Sequence, residues 1–218
     1  MVGILFLIIG TSISWIPWIP YLFAVIGAGA VVAGAVFLIS GRAAFGPRHA
    51  QNVVVSIVLY VVGVLGEFAL GFLFGISILA APNPQLVGCG TTTAFVQTAF
   101  DRLMIGTVAL AAISGLGAVF FTHALNRSVG RAILWVGYAA TILVKVATYF
   151  IVQPAMAEAI ERVFCYPPHD LGPILAVESL LGSSAVLMAI PAAAYCIAYA
   201  LAVLRIFRRE IPADESNR

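Results

Sequence analysis

A helical membrane bundle is the fold class this sequence predicts, and three observations predict it. The 218 residues are 62% hydrophobic and only 9% charged, with a mean hydropathy of +1.09, whereas soluble domains are about a quarter charged. Apolar stretches long enough to span a bilayer recur along the chain, and no connection between them is long enough for a separate folded domain. The arginines gather in alternate connections. The expected architecture is one all-α transmembrane domain over residues 1–207, a polytopic bundle of six transmembrane helices, or five if the first apolar segment does not span. A short polar tail follows at 208–218.

Residues 1–40 carry no charge and are too long for one upright span. The run Trp15-Ile16-Pro17-Trp18-Ile19-Pro20-Tyr21 interrupts them, and two prolines among interfacial aromatics predict a hairpin turn. A short first helix is expected over residues 3–16 and a second over 21–40, with Gly27, Ala30 and Gly34 as a small-residue packing stripe. A secretory signal peptide is the competing reading of the first segment. That segment lacks a basic leader, and the first charged side chain is Arg42.

The third segment, residues 53–81, holds one carboxylate, Glu67, near its middle. Steps of three and four residues place Ser56, Tyr60, Gly63, Glu67, Gly71 and Gly75 along one side, a stripe that is small or polar throughout. Pro82 and Pro84 predict a loop over residues 82–96. A fourth helix is expected from Gln97 to Leu125, a fifth from Ala132 to Gln153 ending at Pro154, and a sixth over residues 173–207, bent at Pro191. A polar loop is expected over residues 155–172.

Orientation follows from the basic residues. Arg42, Arg48, Arg127, Arg131, Arg205, Arg208 and Arg209 fall in the connections after helices two and four and in the tail, against Arg102 and Arg162 on the opposite side. The positive-inside rule makes the first set cytoplasmic, so the chain is expected in the cell membrane with its C-terminus in the cytoplasm.

The one lysine, Lys145, lies inside a span at about the depth of Glu67, on a stripe with Tyr138, Thr141 and Thr148. Glu178 and Arg102 enter from the non-basic side, so Glu67, Arg102, Lys145 and Glu178 can form a charge-balanced cluster. Charges inside a bilayer are costly and mark either a pathway for ions or polar solutes or a set of packing salt bridges. Cys89 and Cys165 fall on the side opposite the arginines and read as a disulfide; metal binding with His169 is the alternative. Cys196 reads as a packing residue.

The sequence contains no H-E-x-x-H, C-x-x-C, G-x-S-x-G or phosphate-binding glycine loop. Its histidines fall in loops or at helix ends, away from where a bis-histidine haem needs them. A lysine with a carboxylate partner also suits a retinal-type Schiff base, but nothing else in the chain resembles a rhodopsin. No enzymatic activity, cofactor or metal is expected, and scattered basic residues give no nucleic-acid surface. The expected role is a structural or accessory subunit, partnered by the lipid bilayer and by other membrane subunits or a second copy. A small ion or polar-solute transporter or channel using Glu67 and Lys145 is the alternative.

Overall fold

The computed structural model describes residues 2–13, 20–41, 45–166, 177, 179, 180, 184 and 186–208. Its helices are α1 (Val2–Ile13), α2 (Pro20–Gly41), α3 (Pro47–Leu79), α4 (Pro84–Val87), α5 (Cys89–His123), α6 (Ser128–Cys165) and α7 (Ala189–Phe207). A 3-10 turn, Val186–Met188, leads into α7. Among the described residues four stretches are long and apolar enough to cross a membrane: Pro47–Leu79, Cys89–His123, Ser128–Cys165 and Val186–Phe207. The chain is thus a helical membrane bundle. α1, at 12 residues, extends only about 18 Å against roughly 30 Å of hydrocarbon.

The helices pack in the spatial order α2, α1, α7, α6, α5, α3, and α2 also touches α3. Close approach depends on small residues. A Cβ on Gly34 of α2 would stand 2.8 Å from the Gly3 carbonyl oxygen of α1, and one on Gly117 of α5 would stand 2.8 Å from the Ser56 carbonyl oxygen of α3. Gly27, the other glycine of the expected α2 stripe, has its side-chain position outside the description.

Two cores result. The larger lies toward the arginine-rich end and joins Ile4 and Leu7 of α1, Leu38 of α2, Val53 of α3, Phe121 of α5, Leu134 of α6 and Tyr199 of α7. At this end the Arg205 guanidinium donates to the Leu125 carbonyl, and Arg131 Nε donates to the His123 carbonyl at 3.1 Å, so basic side chains cap α5. The smaller core, Phe100, Val152, Ala159 and Val177 with Phe74 and Met156 against it, lies toward Cys89 and Cys165.

Several expected boundaries are corrected. α5 starts at Cys89, not Gln97, because the loop expected over residues 82–96 is compact. Asn83 caps α4 by accepting from Gln85 N–H at 2.9 Å, Gly88 turns the chain at φ +85°, and the Thr92 hydroxyl donates to the Pro82 carbonyl at 2.9 Å. Thr93 and Thr98 donate to carbonyls of their own helix, so a threonine-rich run that suggests loop is satisfied as helix. α6 starts at Ser128 and continues through Pro154 to Cys165, replacing most of the loop expected over residues 155–172. Proline removes one helical hydrogen bond there, but Ala155, Met156 and Ala159 pack against the smaller core, and Glu158 and Arg162 pair at 2.6 Å one turn apart. α7 begins at Ala189, so Pro191 sits in its first turn, where the missing N–H leaves nothing unpaired. The bend expected at Pro191 gives way to the 3-10 turn just before it.

α5 and α6, at 35 and 38 residues, are longer than the roughly 30 Å of a bilayer's hydrocarbon. Twenty residues, about 30 Å, separate Thr122 from Arg102 on α5, which leaves Cys89 to Asp101, about 20 Å more, beyond that depth. α6 is of similar length, and Cys89 and Cys165 stand at disulfide distance at the ends of α5 and α6, with Cα atoms 5.5 Å apart.

Candidate functional site

α3 and α6 each carry a polar stripe, and both pack on the intervening α5. On α3, Ser56 and Gly63 are buried. A Cβ on Gly63 would stand 2.5 Å from the Ser114 Cβ of α5, so the backbones nearly touch and hold Glu67, one turn further along, beside α5. On α6, Tyr138 lies where a Cβ on Gly115 of α5 would be only 3.0 Å from its ring. The Thr141 hydroxyl donates to the Gly137 carbonyl at 2.9 Å, and Lys145 follows one turn later. Lys145 Nζ lies 3.9 Å from Glu67 Oε1.

This pair is neither sealed nor bathed: the side chains are 30% exposed for Lys145 and 40% for Glu67. At 4 Å and an effective dielectric of 20, two unit charges attract by about 4 kcal/mol, a gain that desolvation of each ion largely offsets. The pair therefore neutralises two costly groups more than it stabilises the fold.

Toward the arginine-rich end, tyrosines belong to the large core or pack against it. Tyr195 and Tyr199 of α7 stack at 6.2 Å, Tyr199 donates to the Ala118 carbonyl at 2.9 Å, and Tyr60 packs on Phe121 at 6.4 Å. Among the described residues several buried polar atoms find no partner at full hydrogen-bond geometry: the Ser56 hydroxyl, the Tyr195 hydroxyl and both ring nitrogens of His49 in the first turn of α3.

The structure brings together two members of the four-charge cluster. Arg102 is exposed and lines a cleft between α3 and α5. Glu178 lies outside the described residues, as do His169 and Arg209. Asp101, adjacent to Arg102, turns to the other side of α5, where Gln97 donates to it at 3.2 Å and the Tyr149 hydroxyl at 3.4 Å. Cys89 and Cys165 stand at disulfide distance, and Cys196 Sγ lies 3.7 Å from the Ile8 carbonyl oxygen. Among the described residues no three of His, Cys, Asp and Glu come together to hold a metal.

The extended polar stripe on α3 is only partly a packing surface. Gly63 meets α5, whereas a Cβ on Gly71 or Gly75 would meet nothing within 4 Å. Sequence reasoning missed Ser114, Tyr195 and Tyr199 as neighbours of the stripe. The spacing of Tyr195 and Tyr199 by one turn was the available signal.

No family model, curated protein or solved structure matches this chain.

Proposed function

We propose that this protein is a non-enzymatic component of a membrane assembly, a multi-pass protein of the cell membrane with its arginine-rich end and C-terminus in the cytoplasm. The observation that carries the proposal is the exposure of Glu67 on an otherwise apolar surface. Beyond Gly63 every residue of α3 is at least partly exposed, and Leu65, Phe68 and Phe72 face outward. Large apolar side chains are at home against acyl chains, but a carboxylate 40% exposed at that depth is costly. Gly71 and Gly75 continue from Glu67 along the stripe with open space above them, so a helix from another subunit can lie there and cover the carboxylate.

The test is extraction in native lipid particles followed by chemical crosslinking and mass spectrometry, comparing wild type with Gly75→Trp. A stoichiometric companion, a second copy or another subunit, is expected on wild type and lost from the variant. A wild-type protein that crosslinks to nothing while remaining folded rules the proposal out.

A second reading rests on a different observation. Among the described residues His49, Ser56 and Tyr195 are buried, with polar atoms that find no partner at full hydrogen-bond geometry, between the arginine-rich end and the ion pair. Such atoms suit an interior path for water, protons or a small cation ending at Glu67 and Lys145. Flux in liposomes that disappears in Glu67→Gln would favour transport; its absence from folded wild-type protein would leave the assembly role.

A further inference from the structure

We propose that the cleft between α3 and α5 at the disulfide end holds an anionic phospholipid, with an acyl chain along its apolar wall and the phosphate on Arg102. The cleft measures about 540 Å³ and is lined by Leu70, Leu73, Phe74, Phe95, Thr98 and Arg102 among others. That volume falls within the ordinary range for small-molecule sites.

Its chemistry is one cation above an apolar trough. The two hydroxyls in the wall are committed to their own helices, Ser77 donating to the Leu73 carbonyl and Thr98 to the Ala94 carbonyl, at 2.9 and 2.7 Å. Arg102 is then the remaining polar donor named in the lining. Its sequence neighbour Asp101 is turned away and bonded to Gln97 and Tyr149, so that carboxylate does not neutralise the guanidinium. Among the described residues Arg102 forms no ion pair.

Depth selects the ligand. Arg102 stands about 30 Å along α5 from Thr122 at the arginine-rich end, so when that end lies at one interface the guanidinium lies at the other, where phosphates are. Phe74 pairs with Phe100 of α5 near the level of Arg102, and Leu70 pairs with Gly106 one turn deeper, where a chain descends into the hydrocarbon. A planar guanidinium matches a phosphate through paired N–H donors. The apolar wall gives no hydrophobic advantage over bulk lipid and serves to position the chain; the net charge of the headgroup is what Arg102 selects.

The experiment is native mass spectrometry of the full chain, titrated separately with dioleoyl phosphatidylglycerol and dioleoyl phosphatidylcholine. One basic residue near the interface gives a preference of about fivefold for the anionic lipid in wild type. Arg102→Gln should bring that preference near unity, Arg102→Lys should keep most of it, and Thr98→Trp, at an exposed position in the trough, should lower retention of both lipids. An unchanged preference in Arg102→Gln overturns the proposal. So does undiminished retention in Thr98→Trp, or a second copy of the chain seen in the wild-type spectrum that Thr98→Trp removes in place of lipid.

Discussion

The two halves of this bundle solve the same problem differently. Toward the arginine-rich end, six helices surround a continuous core from Ile4 and Leu7 to Tyr199, and each helix is held from more than one side. Toward the disulfide end, α3, α5 and α6 carry a smaller core around Phe100 and Val152, while α3 leans on α5 and turns Phe68, Phe72 and Leu79 outward, the last 88% exposed. Cys89 and Cys165, at disulfide distance at the tips of α5 and α6, stand where the first half has packing. The Glu67 to Lys145 pair sits between the two regimes. Interior packing tolerates few changes, whereas a surface facing lipid or another subunit tolerates many, so the halves should respond differently to the same substitution.

The largest contrast is expected for phenylalanine. Phe121→Ala in the larger core should cost on the order of 3 to 5 kcal/mol, the usual range for a buried aromatic, while Phe72→Ala, 64% exposed, should change thermal stability in detergent very little. Equal effects would mean that the halves do not differ in packing.

Next comes the boundary itself. Glu67→Gln or Lys145→Met alone leaves one charge without its partner and should destabilise by less than the roughly 3 to 5 kcal/mol of a fully buried pair, with the double variant milder than either. A double-mutant cycle reading no coupling beyond a few tenths of a kcal/mol contradicts the contact.

Third is the staple. In the chain-entropy model a bond across a 76-residue separation stabilises by about 4 kcal/mol, and helices already held by the bilayer should gain less. Hydrogen exchange after reduction should rise in the α5 and α6 tips and stay low around Phe121. Free alkylation of both thiols before reduction would show that the bond does not form.

The smallest effect separates packing glycines from open ones. Gly75→Ala meets nothing and should stabilise the isolated chain by up to about 1 kcal/mol through helix propensity. Gly63→Ala, forced within 2.5 Å of the Ser114 Cβ, should be destabilising. Two substitutions with the same sign would erase the distinction between the faces of α3.

Charge depth and helical period were legible without coordinates. They put Glu67 and Lys145 at one height on facing stripes, because a helix converts residue count directly into distance. Loop boundaries were less legible, and for identifiable reasons. The threonines at 91–93 and the polar run Glu158 to Arg162 look like loop by composition, yet local hydrogen bonds and one ion pair satisfy them within helices. Pro154 looks like a terminator, but packing of Ala155 and Ala159 outweighs the one lost bond.

The sequence by itself determined that this chain is a helical membrane protein, since a backbone in hydrocarbon must satisfy its own hydrogen bonds and 62% apolar composition leaves little alternative. It also determined which residues share a helix face. Tertiary structure alone decided which of those faces is covered. Gly63, Gly71 and Gly75 look equivalent along the chain, but α3 meets α5 along a line through Gly63, Gly66 and Leu70, and the other two glycines stand off that line with nothing within 4 Å. The same geometry turned Arg102 toward the α3 cleft and Asp101 toward α6, because adjacent residues on a helix point about 100° apart and only the placement of neighbouring helices says what each one meets.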